Sequence, residues 1–251
     1  MADILTIKGL ALGYGGEPVL DGVDLSVGAG RIVALVGPSG SGKSSILRTV
    51  MELQAPLAGR ITLGVHRAEI GILFQDDALL PWRTVRDNVA LGLRARGWGL
   101  RRRTDEAEAW LRRVGLSGLG ERYPARLSGG QRKRAALAQV LVLKPRFLLM
   151  DEPFSALDAI VRHRISQDLL GLVEREGIAV LLVTHDLEEA LALSDETYLL
   201  SAGPRAHISQ RYDVPLGRPR DIDTARADPR FGPLATRLWQ DLSAAVGPVV
   251  Q

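Results

Sequence analysis

The 251 residues include no cysteine, which excludes disulfides, thiol catalysis and cysteine-ligated zinc and agrees with a reducing compartment. Histidine is scarce: His66, His163, His185 and His207 show none of the spacings that a metal site uses. No stretch approaches the roughly 18 apolar residues of a membrane span. The start, Met1 to Lys8, lacks the charged and apolar segments of a signal peptide, so the expectation is a chain soluble in itself. An excess of one charge is also missing. The 32 Lys+Arg are nearly matched by 29 Asp+Glu, a net charge of +3, so a sequence pI near 9.5 argues only weakly for nucleic acid. The densest basic stretch, Arg94 to Arg113, holds Arg101, Arg102 and Arg103 but is relieved by Asp105, Glu106 and Glu108, and reads as a solvated helical face. Internal repeats and low-complexity tracts are absent. With 46% hydrophobic residues, the chain can bury a large core as one globular unit or one with an insertion.

What is present is concentrated in residues 37–45, Gly-Pro-Ser-Gly-Ser-Gly-Lys-Ser-Ser, which fit the phosphate loop G-x-x-x-x-G-K-[ST]. Before them, Arg31 to Val36 is a short apolar, β-branched run that reads as a buried strand. After them, Ile46, Leu47, Val50 and Met51 recur at helical spacing. Strand, loop and helix in that order turn backbone amides and the positive end of a helix dipole onto a phosphate. Gly37, Gly40 and Gly42 permit the turn and leave room for phosphate oxygens, with Pro38, Ser39, Ser41 and Ser45 completing the stretch. Lys43 would reach the β- and γ-phosphates, and the Ser44 hydroxyl would ligate Mg²⁺. A glycine turn that merely joins strand to helix leaves the Lys-Ser pair unexplained.

Residues 4–35 alternate short apolar runs, Ile4 to Ile7, Leu20 to Val27 and Arg31 to Val36, with glycine-rich breaks at 13–16 and 28–30. They read as antiparallel strands leading into the loop. Tyr14, on one break, either stacks on adenine or packs at a turn. Glu69 to Phe74 suggests another strand, and Gln75 at its carboxyl end would complete the Mg²⁺ shell or hold the attacking water. From Leu79 to about residue 144 the signals are helical, which predicts an insertion over 79–144 in an α/β core. There Thr104, Asp105 and Glu106 read as a helix start, Ala107, Trp110, Leu111 and Val114 as one apolar face and Gly115 as a stop. Leu80-Pro81-Trp82 is either a partner contact or a hydrophobic staple inside the insertion.

At Leu127-Ser-Gly-Gly-Gln131 a second glycine loop opens a helix over 132–143, and the Ser128 hydroxyl with the amides of Gly129 and Gly130 makes another anion site. One ATP has no use for two such caps from one chain. If both bind the same nucleotide, the second comes from another subunit, which predicts a head-to-tail pair enclosing two ATP molecules. Phe147 to Met150 reads as a buried strand ending in Asp151 and Glu152, the first able to hold Mg²⁺ through water, the second to take a proton from the attacking water. Ser155-Ala-Leu-Asp158 begins a helix with Ile165, Leu169, Leu172 and Val173 at apolar positions and Gly177 at its end. Ile178 to Val183 is a further buried strand, followed by Thr184-His185-Asp186. The strand ends at Val36, Phe74, Met150 and Val183 thus deliver polar residues to what should be one crevice, which favours a ligand role for His185 over a core histidine. After Ser201 the signal weakens. Residues 203–233 read as a short strand followed by irregular, surface-lying chain, and Ala235 to Val246 as a terminal helix.

The ordered set GPSGSGKSS, Gln75, LSGGQ, FLLMDEP, SALD and His185 resembles the ATP-binding subunit of ABC transporters over essentially residues 1–215. The resemblance implies an α/β P-loop NTPase core with an antiparallel β subdomain and a helical insertion. Residues 1–78 and 145–215 would form the catalytic core, 79–144 the helical subdomain and 216–251 a C-terminal extension. It implies Walker A at Gly37 to Ser45, the Q-loop residue at Gln75, the signature at Leu127 to Gln131 and Walker B at Phe147 to Asp151. Glu152 would be the catalytic carboxylate, Asp158 the D-loop residue at the nucleotide, His185 the switch histidine and Tyr14 the A-loop aromatic. Mg²⁺ would be held by Ser44, Gln75 and Asp151. The single compact chain, FQDDALLPWRTVRDNV and the arginine-proline stretch Pro215 to Arg230 look like importers of the nitrate, sulfonate and taurine type. One departure is Ala138-Gln139-Val140-Leu141, where such proteins usually read Ala-Arg-Ala-Leu. The implied partners are a second copy of the chain, an integral-membrane permease and an extracytoplasmic substrate-binding protein, with no nucleic acid, and the implied place is the cytoplasmic face of the membrane. The alternatives are an exporter or lipid-transport ATPase with the same chemistry, and a nucleic-acid-associated ABC ATPase. The latter usually carries two cassettes or a coiled-coil insertion, and this sequence has neither.

Overall fold

The computed structural model describes residues 3–15, 17–155 and 157–246. Gly16 of the first glycine break, Ala156 of SALD and the last five residues of the extension lie outside the described residues. The chain packs as two compact units, Met1–Arg67 with Leu170–Gln251, and Ala68–Leu169.

In the first unit, β1 (Asp3–Tyr14) and β2 (Glu17–Gly28) form an antiparallel hairpin, and β4 (Ala58–Leu63) pairs with the other edge of β1. Leu5, Ile7, Leu10 and Leu12 of β1 and Leu20, Val23 and Val27 of β2 are fully buried. Each such side chain contributes about 1.5–3 kcal/mol of transfer free energy. A second sheet holds β7 (Ala179–Val183), β3 (Ile32–Val36), β8 (Glu196–Leu200) and β9 (Ile208–Asp213) in that spatial order. β3 lies parallel to both β7 and β8, and β9 runs antiparallel on the far edge of β8. Here the structure corrects the expectation that Arg31 to Val36 continues the antiparallel strands. All five residues of β3 are buried, as a strand covered on both faces requires, whereas β1 and β2 alternate. Helices α1 (Lys43–Val50), α7 (Leu187–Leu193), α8 (Ile222–Ala227) and α9 (Phe231–Val246) complete this unit, with α7 packed on β3, α8 and α9.

The chain after Asp213 is not surface-lying as its prolines suggested. Leu216, Arg220 and Ile222 are buried, because Asp195, 4% exposed, draws the segment in. Its carboxylate accepts from Ile32 N (2.8 Å), Arg218 Nε (3.2 Å) and an Arg220 terminal nitrogen (3.2 Å). The backbone N–H of Arg220 donates to Glu174 (3.1 Å).

In the second unit, β5 (Ile70–Leu73) is parallel to β6 (Phe147–Asp151), and the chain between them is helical: α2 (Val85–Val89), α3 (Leu91–Ala95), α4 (Leu100–Arg113) and α5 (Gly129–Leu141). α6 (Ala159–Glu176) begins in this unit. Trp110 and Leu111 of α4, Val85 and Val89 of α2 and Ala135, Ala138 and Leu141 of α5 form its core. The start of α4 lies a turn earlier than Thr104 and Asp105 implied. Gly99 precedes the first helical residue, and Arg102, inside that turn, stacks its guanidinium 3.8 Å from the Trp98 ring centre.

Candidate nucleotide site

In the first unit β3 delivers the phosphate loop. Lys43 is 6% exposed, and its ammonium donates to the carbonyls of Gly37 (2.8 Å) and Pro38 (2.7 Å). The loop is thereby wrapped round its own lysine. Gly42, the cap of α1, has φ +91, and a Cβ there would stand 2.8 Å from Cγ of Leu20 on β2. Both conformation and space demand glycine, and the buried hairpin is what sets the space. Ser41 is 1% exposed and its Oγ has no hydrogen-bond partner among the described residues. Such an orphaned hydroxyl in a cradle of amides fits an oxyanion ligand such as phosphate. Ser39 and Gly40 are exposed on the rim, and Ser44 sits in the first turn of α1.

Tyr14, 55% exposed, ends β1 with its hydroxyl 3.0 Å from Ser45 Oγ and donating to Gln54 Oε1 (3.3 Å). The hydroxyl is thus anchored to the first turn of the phosphate-loop helix while more than half of the residue stays exposed. His185 stands exposed two residues after Val183, whose partner across the parallel ladder is Leu35. The phosphate loop and His185 therefore leave the same end of one sheet. Thr184 N donates to Leu35 O (3.3 Å), Asp186 caps α7 through Glu189 N (2.9 Å), and the Thr184 hydroxyl donates to the buried Glu189 carboxylate (2.7 Å). Glu189 was not singled out from the sequence. Its position three residues past a helix-capping Asp is the signal that could have found it.

In the second unit the same parallel logic holds, with Leu73 opposite Met150. Gln75, exposed, and Asp151 and Glu152 thus leave one end of the β5–β6 pair. Glu152 has φ +44, a left-handed conformation that costs a non-glycine residue on the order of 1–3 kcal/mol and concentrates at functional sites. Ser155 steadies it, donating from Oγ to Glu152 O (3.1 Å). Asp158 caps α6, accepting from Val161 N (3.0 Å).

Ser128 and Gln131 form a reciprocal capping box at the start of α5. Gln131 N donates to Ser128 Oγ (3.3 Å), and Ser128 N donates to Gln131 Oε1 (3.0 Å). The Ser128 oxygen accepts within this box, which leaves its O–H to donate outward. Gly129 has nothing closer than 3.8 Å to a built Cβ, but at Gly130 a Cβ would meet Val161 of α6 at 2.7 Å. One signature glycine is open to a ligand; the other is demanded by helix packing.

Sequence reasoning also missed Asp77 and Lys133. Lys133, 3% exposed, reaches the carbonyls next to β5, and burial lowers its pKa while the Asp77 carboxylate works against that shift. Beside them runs a cleft of about 650 Å³, lined among others by Phe74, Arg83, Arg94, Gln139 and Val140. Gln139, the departure noted in α5, places a neutral amide on that wall. Trp82 is 71% exposed, on a loop whose carbonyls at Leu80, Arg83 and Thr84 are all held by the buried Asn88 amide. It is no internal staple.

With a phosphate loop of this geometry, a second capped helix start and acidic residues at a parallel strand end, the class is that of P-loop ATP-binding proteins. The chain belongs to the ABC transporter family, whose model matches residues 20–155. It is 43% identical over 237 residues to the taurine import ATP-binding protein TauB of Escherichia coli O157:H7, covering 91% of this chain and 92% of that protein. It is 44% identical over 227 residues to the aliphatic sulfonates import ATP-binding protein SsuB 2 of Pseudomonas aeruginosa (strain UCBPP-PA14), covering 88% of this chain and 80% of that one. Among solved structures, CbiO1 of Clostridium perfringens, part of the ABC transporter complex CbiONQ, superposes with a TM-score of 0.77 at 26% identity, over 85% of this chain and 90% of that chain.

Proposed function

We propose that this chain is the ATP-hydrolysing subunit of an importer of the nitrate, sulfonate and taurine type. Two copies close head to tail on two ATP, and closure drives a solute through a separate membrane permease on whose cytoplasmic side the subunit sits. An extracytoplasmic binding protein delivers the solute. The relatives named as taurine and aliphatic sulfonates import ATP-binding proteins support the substrate class.

The observation that carries the reading is the presence, in one chain, of two differently built oxyanion caps. One is the lysine-wrapped loop of residues 37–45; the other is the Ser128–Gln131 box at α5. In the closed pair, Lys43 and the loop amides hold the nucleotide's phosphates, Tyr14 stacks on its base, and Ser128 and Gly129 of the other copy complete the γ-phosphate's surroundings, with Asp158 at the junction. Mg²⁺ suits an all-oxygen donor set, and Ser44, Gln75 and Asp151 would hold it; bound, it neutralises charge on the phosphates. Glu152 accepts the proton of the attacking water, and His185 donates to the γ-phosphate oxygens. Chemistry of this kind depends on positioning, so a site divided between two copies reacts only when they close. In the assembly residues 1–78 and 145–215 act as the catalytic core, 79–144 as a helical subdomain and 216–251 as a C-terminal extension. The Gln139 cleft and Trp82 face the permease.

The test is Glu152→Gln, with ATP and Mg²⁺, by light scattering and phosphate release. ATP-dependent dimers should accumulate while turnover falls about 10²-fold or more. Wild-type turnover, or a monomer at all ATP concentrations, overturns the reading. Recovery of an exporter-type membrane subunit in a pull-down from native membranes would replace import by export.

A further inference from the structure

β5 ends at Leu73, and the next two carbonyls, Phe74 O and Gln75 O, accept hydrogen bonds of 3.1 and 3.0 Å from Lys133 Nζ, which belongs to α5 two residues after Gln131. An ammonium has three donors. The third faces Asp77 at 3.6 Å. The other Asp77 oxygen accepts from Arg132 Nε (3.3 Å), and the same guanidinium donates to the carbonyl of Leu127 (2.9 Å), first residue of the signature. Two consecutive side chains of α5 thus fasten residues 74–77 to the helix that presents the signature.

The Lys133 side chain is 4% exposed. A charge so buried is tolerated only when its donors are satisfied, and an apolar side chain of the same length would fill the space without that cost. Packing alone therefore does not account for a lysine here. Its geometry accounts for it as a tether: the backbone of Gln75 is held by the same helix turn that follows the signature, so the two are displaced together.

We propose that Lys133 is a positioning residue for Gln75, locking the Q-loop backbone to the signature helix so that Gln75 takes its place at the nucleotide only when α5 takes its own. The proposal rests on the reading of Gln75 as a nucleotide-site residue. Lys133→Met fills the volume and removes every donor; Lys133→Arg retains charge and donors.

The experiment is steady-state ATP hydrolysis by the full chain with Mg²⁺, using Lys133→Met, Lys133→Arg, Gln75→Ala and the double variant Lys133→Met/Gln75→Ala, with urea unfolding as the check on folding. Lys133→Met should lower kcat about tenfold with KM for ATP within about twofold of wild type, and Lys133→Arg should restore part of it. The double variant should lose no more than Gln75→Ala alone, since both act through one residue. If Lys133→Met does not fold, Lys133→Ala, which also removes every donor and leaves room for water at the freed carbonyls, is judged by the same criteria. Wild-type kcat in the Lys133 variant, a fall confined to the unfolding midpoint, or losses that multiply in the double variant overturn the proposal while leaving Gln75 its role. Wild-type turnover in Gln75→Ala overturns the reading of Gln75 itself, and this proposal with it.

Discussion

Thr184 Oγ1 donates a 2.7 Å hydrogen bond to Glu189 Oε2, a buried contact that ties the residue before His185 to the first turn of α7. The same hydroxyl accepts from Asp186 N (3.1 Å), so the backbone on both sides of His185 is fixed to one side chain. Glu189→Ala should lower turnover several-fold with ATP affinity intact and should destabilise the fold by about 1–3 kcal/mol, the cost of a buried hydroxyl losing a charged partner. Thr184→Val should reproduce the kinetic effect, read as kcat at saturating ATP.

Tyr14 separates two roles by two substitutions. Tyr14→Phe loses only the hydroxyl contacts with Ser45 and Gln54 and should keep ATP affinity within about twofold. Tyr14→Ala also loses the ring, and a stacking contact of about 0.5–1.5 kcal/mol predicts a rise in Kd for ATP of roughly two- to thirteenfold. Titration with a fluorescent ATP analogue measures both.

The adjacent signature glycines should respond oppositely. Gly130→Ala drives a methyl into Val161 and should cost about 1–3 kcal/mol of stability, as overpacking does. Gly129→Ala meets nothing closer than 3.8 Å, so its urea midpoint should match wild type while its turnover falls, because the methyl intrudes only on a ligand. Equal midpoints for the two variants would contradict the packing role of Gly130.

At the far end of the sheet, Asp195→Ala would take the carboxylate from the buried Arg220 guanidinium, leaving it the carbonyls of Ser194 and Leu216; burial lowers the pKa of Arg220 against the pull of Asp195. Breaking a buried pair by removing one partner costs about 3–5 kcal/mol, and urea unfolding should show it. Arg211→Ala, which removes the exposed partner of a half-buried Glu196 that also faces Arg31 at 3.8 Å, should cost no more than about 1 kcal/mol.

Much of the fold was legible along the chain, and the reasons lie in particular elements. β3, β6 and β7 are short apolar runs whose type depends on neighbours within a few residues, so their places came out almost to the residue, and α1 is recognisable as a helix by its apolar period. The start of α4 was misplaced because Arg102 stacks on Trp98, and that stabilisation is invisible to a search for capping side chains. The extension was misread because proline density suggests exposed chain, while the residues that bury it, Asp195 and Glu174, lie far back in sequence.

The sequence by itself determined the chemistry of the loops. A phosphate loop, a capped signature helix and an acidic strand end are local backbone arrangements, and the residues that build them are adjacent in the chain. Only the tertiary structure decided which residues hold those loops in place. The partnership of β3 with β7 and β8, the contact of Gly130 with Val161, and the grip of Lys133 on the carbonyl of Gln75, 58 residues away, join segments whose separation leaves no pattern in composition or period. Such contacts exist because burying apolar faces brings distant segments together, and the polar groups trapped there must then find partners in each other.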